Sequence, residues 1–138
     1  MADNIRGGVG QVNSDHPASV RGVGVDIIEI DRVAAMIDNE RFVARVFTDA
    51  EREYCDGGAN RAERFAGRFA AKEAVAKALG IGLPWRDVEI LRGEEGRPIA
   101  VLHGRAADAA NGAHALVSIS HCRAYAVAHA VICGQEPR

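Results

Sequence analysis

The sequence predicts an α+β fold, with one small domain in which an antiparallel sheet packs against helices. Two observations carry this prediction. One long stretch, residues 64–80, has helical periodicity and ends at a glycine. The second half of the chain instead contains short alternating segments joined by tight turns, which favours antiparallel strands. The predicted order is strand, three helices, two strands, helix and two strands.

Composition and charge limit the classes of protein to which the chain can belong. Its 138 residues suit one domain, and 48% hydrophobic with 26% charged residues is ordinary globular usage. A formal net charge of −2 argues against a nucleic-acid-binding protein. No apolar run reaches the roughly 18–20 residues of a membrane span, and no secretory signal is recognisable. Three widely spaced cysteines indicate a reducing compartment, so we predict a cytoplasmic protein.

The first predicted element follows a polar segment. Residues 1–20 lack a sustained apolar period and are interpreted as a flexible N-terminal arm, so that residues 21–138 form the domain. Residues 21–28 are predicted to form a short, largely buried strand with Asp26 near its end. Asp31 is placed to cap the helix that comes next.

Local signals also mark the helices that lead to the second half. Residues 42–47 place apolar side chains on one side. Thr48 and Glu51 have the spacing of a capping box, which predicts that a short helix begins there. Asn60 and Glu63 repeat that spacing at the start of the long helix. A short helix over 105–111 then separates two predicted strand pairs, 88–92 with 99–103 and 115–121 with 124–131.

The long helix carries the most informative charges. The chain contains 15 arginines but only two lysines, and both lysines, Lys72 and Lys77, flank Glu73. Lysine is a compact and mobile point charge, so this clustering favours binding of a phosphate group. The alternative is an ordinary surface helix with an i,i+4 pair between Glu73 and Lys77. The spacing alone leaves both interpretations open.

Two acidic residues are candidates for a metal site. Helical spacing puts Glu73 in one row with Phe65, Phe69 and Lys77, at the edge of an apolar face. A carboxylate there needs a cation or a metal ion as a partner. If Asp26 faces Glu73, the two form a hard-oxygen site with few protein ligands, which suits Mg²⁺ because that ion also binds water and substrate phosphate oxygens. A cap or turn role is the simpler alternative for Asp26.

Two further features suggest contact with an anion. His121 ends a strand near arginines, whereas its Ser-x-Ser-His segment lacks the Gly-x-Ser-x-Gly elbow of a serine hydrolase. The second feature is a basic row on the long helix, which helical spacing places on one side. A solvated surface face is the alternative interpretation of this row. It contains Arg61, Arg64, Arg68 and Lys72.

Several sequence blocks resemble the 4′-phosphopantetheinyl transferases. The opening block is GVGVDIIEIDRV at residues 22–33, and the segment that resembles the signature helix of the family is RFAGRFAAKEAVAKA at residues 64–78. The later blocks are similar in order and spacing, with GRP at 96–98 and VSISH at 117–121. The resemblance covers about residues 21–133, and the short chain points to the holo-acyl-carrier-protein synthase branch.

The resemblance implies the phosphopantetheinyl transferase fold and a specific reaction. The 4′-phosphopantetheine arm of coenzyme A would be transferred to a serine of an apo acyl carrier protein, with release of adenosine 3′,5′-bisphosphate. By motif position, Asp26 and Glu73 would hold Mg²⁺ at the pyrophosphate, and Lys77 would contact the pyrophosphate. Arg68 and His121 would serve the 3′-phosphate and the nucleotide.

The same resemblance implies partners. Arg32 would meet the acidic recognition helix of the carrier protein, and the short members of the family are homotrimers with sites between subunits. The sequence does not choose between a fatty-acid and a polyketide carrier. The base for the serine proton also stays open, since Glu73, a metal-bound water or a nearby acid such as Glu51 could serve.

Two other functions are compatible with the charges. A hydrolase of nucleotide pyrophosphates would use the same metal and cations but attack with water. A non-enzymatic module would bind an acidic partner helix, such as that of a carrier protein, through Arg32, Arg41 and Arg45. The first would release phosphopantetheine without a carrier, and the second would need neither Mg²⁺ nor coenzyme A.

Overall fold

Strand β1 (Ala18–Glu29) begins the part of the chain that the computed structural model describes, residues 18–135. Four α-helices follow β1, then two short strands, a fifth helix and two longer strands. The helices are α1 (Ile30–Met36), α2 (Glu40–Val46), α3 (Asp49–Asp56), α4 (Arg61–Leu79) and α5 (Gly104–Ala110). The other strands are β2 (Val88–Arg92), β3 (Pro98–Leu102), β4 (His114–His121) and β5 (Tyr125–Gln135). Single 3₁₀ turns, Trp85–Asp87 and Glu94–Gly96, precede β2 and β3.

The predicted α+β class is confirmed, with differences in detail. The described strands form two antiparallel sheets rather than one, with the orders β1-β5-β4 and β2-β3. Four helices rather than three lie between β1 and β2, because residues 40–56 form two helices. Phe47 has extended dihedral angles after α2 (φ −112°, ψ 138°), and Thr48 then caps α3. Residues 18–20 belong to β1, and the rest of the predicted N-terminal arm lies outside the described residues.

Two glycines of β1 allow α4 to pack closely against the sheet. A Cβ atom added at Gly22 would lie 2.0 Å from the carbonyl oxygen of Ala78, and one at Gly24 would lie 2.1 Å from that of Ala74. Neither contact is sterically possible, so this approach of helix and strand requires glycine. Asp26 follows Gly24 by two residues and therefore lies on the same face of β1, toward α4.

Small side chains fill the interface between α4 and the sheet. Ala70 and Ala74 of α4 and Ala126 and Ala130 of β5 are fully buried. Larger groups pack at the other side of α4, where the ring centroids of Phe47 and Phe65 lie 4.8 Å apart in an edge-to-face arrangement. Because alanine has few conformational states and little volume, it holds the helix and the sheet backbone at a short, well-defined distance.

The helix ends test the predicted caps. The Thr48–Glu51 capping box is confirmed, since the Thr48 amide donates to Glu51 Oε1 at 2.8 Å and the Glu51 amide donates to Thr48 Oγ1 at 3.3 Å. Gly80 ends α4 in the left-handed region, with φ 76°. The cap predicted at Asp31 is wrong, because α1 begins one residue before it and Asp31 occupies the first turn. Asn60 is the N-cap residue of α4, as predicted, but its side chain makes no capping hydrogen bond.

Two bulk predictions can be compared with the described residues. Across residues 18–135, no helix combines the length and apolar character that a bilayer crossing needs. All three cysteines, Cys55, Cys122 and Cys133, have free thiols, which confirms the prediction that they are unpaired. Burial raises the pKa of Cys55 to about 12, so that its thiol stays protonated and inert.

Candidate active site

Asp26, Glu73 and Lys77 form a cluster where α4 crosses β1, which we call the carboxylate cluster. Lys77 Nζ lies 3.2 Å from Asp26 Oδ1 and donates a hydrogen bond to the Val25 carbonyl oxygen at 3.0 Å. The side chain of Asp26 is 17% exposed, whereas that of Lys77 is 53% exposed. The ammonium group is therefore held in place on its protein side while its solvent side stays open to an anion.

Glu73 lies one helical turn before Lys77 and is half-buried. Desolvation raises the pKa of Glu73, the negative charge of Asp26 raises it further, and the Lys77 charge lowers it. The effect of Asp26 reflects the repulsion between two neighbouring carboxylates. A cation placed between them would relieve that repulsion, so the cluster is suited to bind one.

The donor set of the carboxylate cluster fits a magnesium ion. Carboxylate oxygens are the protein ligands that Mg²⁺ prefers, and this ion commonly uses only one or two of them together with water and phosphate oxygens. Within the described chain, no group of three or more His, Cys, Asp and Glu side chains could hold a metal ion. A metal bound by Asp26 and Glu73 would therefore keep most of its coordination positions for water and substrate.

Arg68 and His121 lie in a separate cavity of about 260 Å³, which we call the arginine pocket. Arg68 is only 7% exposed, and its buried Nε has no hydrogen-bond partner among the described residues. The His121 side chain is 52% exposed, and its Nδ1 lies 3.9 Å from Glu63 Oε2, beyond hydrogen-bond distance. The residues that line the pocket include Tyr54, Glu63, Arg64, Arg68, Ile119 and His121.

A buried guanidinium nitrogen without a hydrogen-bond partner is unfavourable unless a ligand supplies an acceptor. Burial removes water from the donors of Arg68, and a buried donor without a partner costs about 1–3 kcal/mol. Arg68 precedes Glu73 on the same helix by five residues, so that the two residues are separated by about 7.5 Å along the axis. The carboxylate cluster and the arginine pocket thus share one helix, α4, which contributes Glu73 and Lys77 to the first and Arg68 to the second.

The role predicted for Lys72 is wrong, because its side chain is buried rather than free to bind phosphate. Lys72 Nζ lies 2.7 Å from Glu51 Oε1, and the two side chains are 1% and 0% exposed. Lys72 also donates to the carbonyl oxygens of Trp85, at 3.1 Å, and of Val88. Burial lowers the pKa of Lys72, and the charge of Glu51 opposes that effect. The ammonium group therefore fastens α4 to α3 and to the start of β2.

The same ion pair excludes two other interpretations. Glu51 is fully buried, and its oxygens accept from Lys72 and from the amides of Thr48 and Ile90 at 2.8 Å each. It has no access to a substrate hydroxyl, so its suggested role as a general base is wrong. The basic row of α4 is not a solvated face either, since Arg68 and Lys72 are both buried.

Arg32 is exposed on α1 and does not line the arginine pocket. It is near a shallow cavity of about 320 Å³ lined by Ala35, Met36, Asn39 and Phe42. Ala35 and Met36 follow Arg32 by three and four residues, so that they share its side of the helix. A positive charge beside an apolar depression suits an amphipathic partner with acidic residues.

Tyr54 and Glu63 are among the pocket residues to which the sequence assigned no role in ligand binding, and Arg64 was singled out only as a member of the basic row. Tyr54 lies on α3, and no local spacing relates that helix to α4. Glu63 was interpreted as half of a cap, but its carboxylate lies near His121. Arg64 is far from Lys77 along the helix, so the sequence could not distinguish it from an ordinary surface arginine. A three-dimensional contact was needed to identify each of them.

Comparisons with known proteins agree with this geometry. A family profile described as the 4′-phosphopantetheinyl transferase superfamily matches residues 22–130. The holo-[acyl-carrier-protein] synthase of Koribacter versatilis is 45% identical over 122 residues, which are 82% of this chain and 98% of that protein. The holo-[acyl-carrier-protein] synthase of Moorella thermoacetica is 49% identical over 116 residues, which are 79% of this chain and 91% of that protein.

Solved structures show the same fold. The holo-(acyl-carrier-protein) synthase of Bacillus anthracis, in complex with CoA (3′,5′-ADP), has a TM-score of 0.71 and 36% identity, covering 83% of this chain and 97% of that one. The Helicobacter pylori holo-[acyl-carrier-protein] synthase, in complex with coenzyme A, has a TM-score of 0.72 and 28% identity, covering 80% and 98%.

Proposed function

Because the chain belongs to the 4′-phosphopantetheinyl transferase superfamily, we propose that it is a holo-acyl-carrier-protein synthase. In this reaction a serine hydroxyl of an apo acyl carrier protein attacks the β-phosphorus of coenzyme A. The bond to the bridging oxygen breaks, phosphopantetheine becomes esterified to the serine, and adenosine 3′,5′-bisphosphate leaves. The observation that carries the proposal is that α4 brings Glu73 to Asp26 of β1 and also carries Arg68, a buried arginine whose Nε has no hydrogen-bond partner.

Asp26 and Glu73 would hold the Mg²⁺ ion that this reaction is expected to need. Bound there, the metal supplies charge neutralisation at the pyrophosphate. Lys77 holds Asp26 in position through their 3.2 Å contact and offers its remaining donors to a phosphate oxygen. Since phosphoryl transfer depends mainly on positioning and charge stabilisation, these fixed groups are the contribution expected of the protein.

Arg68 and His121 anchor the leaving nucleotide in this proposal. The buried guanidinium of Arg68 would bind the 3′-phosphate, which supplies the partner that its Nε lacks. The exposed imidazole of His121 lies at the mouth of the same pocket and can add a donor to the nucleotide. Held at both ends, coenzyme A would present its β-phosphorus beside the carboxylate cluster.

Glu73 is the residue that we propose as the base for the serine proton. Its half-buried carboxylate lies in the same cluster as Lys77, where the attacking serine hydroxyl would have to approach the pyrophosphate. With Glu51 excluded by its ion pair with Lys72, a water molecule in the site is the remaining alternative.

The carrier protein and the oligomeric state belong to the same proposal. The acidic helix of a carrier would meet Arg32 and the apolar depression beside it. A homotrimer would bury the outer face of the three-stranded sheet, where Val23, Val25 and Ile27 of β1 are 61%, 56% and 64% exposed and Leu116 of β4 is 58% exposed. An apolar face of this size is unfavourable in water and suits burial between subunits. A cytoplasmic location also stays a prediction.

Intact-mass measurement tests the proposed reaction. Incubation of an apo acyl carrier protein with the enzyme, coenzyme A and Mg²⁺ is expected to add the mass of one phosphopantetheine, and a chelator is expected to prevent it. Glu73→Gln should abolish the gain, whereas Glu53→Gln, at an exposed position on α3, should not. No gain with several carriers would contradict the proposal.

The same assay distinguishes the alternative functions. Release of phosphopantetheine in the absence of carrier would identify a hydrolase. Salt-sensitive binding of the carrier without any mass gain would identify a binding module.

A further inference from the structure

The ring of Tyr54 organises a group of guanidinium side chains at the arginine pocket. Arg68 Cζ lies 4.1 Å from the centre of the Tyr54 ring, and Arg64 Cζ lies 4.6 Å from it. Arg92 of β2 approaches the same ring at 5.7 Å. Arg64 and Arg68 both line the pocket, so one aromatic residue of α3 contacts both of its arginines.

The charges of these arginines are not balanced by neighbouring acids. Among residues 18–135, the ion pairs formed by carboxylates involve other cations, and none includes Arg64, Arg68 or Arg92. Glu63 is the acidic residue that lines the pocket, and it faces His121 at 3.9 Å. Two like charges held side by side at a partly buried site repel each other, so the arrangement favours a ligand with at least two negative charges.

Two contacts besides the ring hold Arg64 in this orientation. Its Nη1 donates to the carbonyl oxygen of Tyr54 at 2.9 Å. The Arg64 guanidinium also packs against Gly58 in the loop before α4, where an added Cβ atom would lie 2.9 Å from its Nη2. Arg64 is thus half-buried and fixed, unlike a solvated surface arginine, which would lose conformational entropy on binding a ligand.

We propose that Arg64 contacts the 3′-phosphate of coenzyme A together with Arg68, and that Tyr54 is the positioning residue that aligns the two guanidiniums. The proposal rests on the proposed function, because it assigns the 3′-phosphate to the arginine pocket. A phosphate dianion offers three oxygens, enough for two arginine forks at once. The pair therefore determines the preference for coenzyme A over dephospho-coenzyme A, which differ only in this phosphate.

Binding of two nucleotides that differ in the 3′-phosphate tests the assignment. Calorimetry with adenosine 3′,5′-bisphosphate and adenosine 5′-monophosphate is applied to the full chain and its variants. Arg64→Gln is expected to lower the affinity for adenosine 3′,5′-bisphosphate about ten-fold, which is the size of a charge-assisted hydrogen bond. The affinity for adenosine 5′-monophosphate is expected to stay within about two-fold of its value in the unsubstituted protein. Arg105→Gln, at an exposed position on α5, is the matched control and should change neither affinity.

Two variants test Tyr54 as a positioning residue. Tyr54→Leu should lower the ratio of bisphosphate to monophosphate affinity several-fold, because it removes the surface on which both guanidiniums stack. Tyr54→Phe keeps the ring and should restore the ratio to within about two-fold of the unsubstituted protein. The preference for coenzyme A over dephospho-coenzyme A, measured as the ratio of their KM values, should likewise be reduced in Tyr54→Leu and kept in Tyr54→Phe.

The outcomes separate this inference from the proposed function. An unchanged affinity ratio in Arg64→Gln, or an equal loss for both nucleotides in Tyr54→Leu, overturns the inference even if the enzyme modifies carrier proteins normally. Absence of transfer by the unsubstituted protein, combined with the expected change in affinity ratios, overturns the reaction but supports the subsite. If Tyr54→Leu does not fold, as judged by circular dichroism, Arg64→Gln alone decides the question.

Discussion

Replacing Lys72 with methionine should strongly destabilise the protein without removing any residue of the proposed reaction. The Lys72 and Glu51 side chains are 1% and 0% exposed, and their charged atoms lie 2.7 Å apart. Methionine has a similar length but no charge, so the variant leaves the Glu51 carboxylate buried without a counter-ion. Breaking a buried ion pair on one side typically costs 3–5 kcal/mol, so we expect about that loss in the free energy of unfolding. The carbonyl oxygens of Trp85 and Val88 also lose a donor.

Denaturation with urea at fixed protein concentration measures this loss, since oligomerisation makes apparent stability depend on concentration. The matched control is Arg52→Met, because Arg52 pairs with Glu40 at the surface, where the two side chains are 30% and 74% exposed. That pair should contribute less than about 1 kcal/mol. The double variant Lys72→Met with Glu51→Gln removes both charges and should lose less than the sum of the single variants. A cost for Lys72→Met no larger than that for Arg52→Met would refute the reasoning.

Three further predictions follow from the site and the sheet. Without metal, Glu73→Gln should unfold at a higher temperature than the unsubstituted protein at pH 7.5, with a gain below about 1 kcal/mol because the group is partly solvated. A carboxyl with a raised pKa stabilises the folded protein below its ordinary pKa of 4.5, and this contribution is lost as the pH rises. The stability advantage of Glu73→Gln over the unsubstituted protein should therefore vanish near pH 4. A variant that is less stable than the unsubstituted protein at pH 7.5 would contradict this. Gly24→Ala should cost about 1–3 kcal/mol in urea denaturation because its Cβ would meet the Ala74 carbonyl oxygen, whereas Gly82→Ala, with open space around it, should cost far less; equal costs would contradict the packing argument. Val23→Asp should convert the expected trimer into monomers in light scattering, since it places a charge on the apolar sheet face; an unchanged mass would exclude that face as the interface.

The sequence predicted the parts of the site that depend on local geometry. Glu73 and Lys77 lie one turn apart on a helix whose period and terminal glycine are visible in the chain, so that their proximity required no knowledge of the fold. Asp26 was predicted to lie near them by a family resemblance. The physical reason, the close approach allowed by Gly22 and Gly24, became visible only in the structure.

The errors have a common physical cause. Lys72 and Lys77 look equivalent in the sequence, but Glu51, 21 residues earlier, accepts Lys72 in the core, while Asp26 accepts Lys77 at the surface. Helical spacing gives the direction in which a side chain points from the helix axis, but not which residues of other elements it meets there. Tyr54 was overlooked for the same reason, because the packing of α3 on α4 places its ring under the arginines.

The two lysines also show how one helix can contribute both to a buried ion pair and to the solvent-accessible carboxylate cluster. Residues five positions apart on an α-helix are separated by about 140° around the axis, so Lys72 and Lys77 face different partners. Lys72 ties α4 to α3 and to the start of β2, whereas on the sheet side the glycines of β1 limit its distance from the strand. These contacts on both sides limit how far α4 can shift to separate Glu73 from Asp26. The repulsion between the Asp26 and Glu73 carboxylates therefore persists in the folded protein. A cation bound between them would remove this repulsion, whereas a helix free to shift would have removed part of it already. If Mg²⁺ binds as proposed, the Lys72→Met substitution should weaken that binding, which would appear as a smaller metal-induced rise in melting temperature for Lys72→Met than for Arg52→Met.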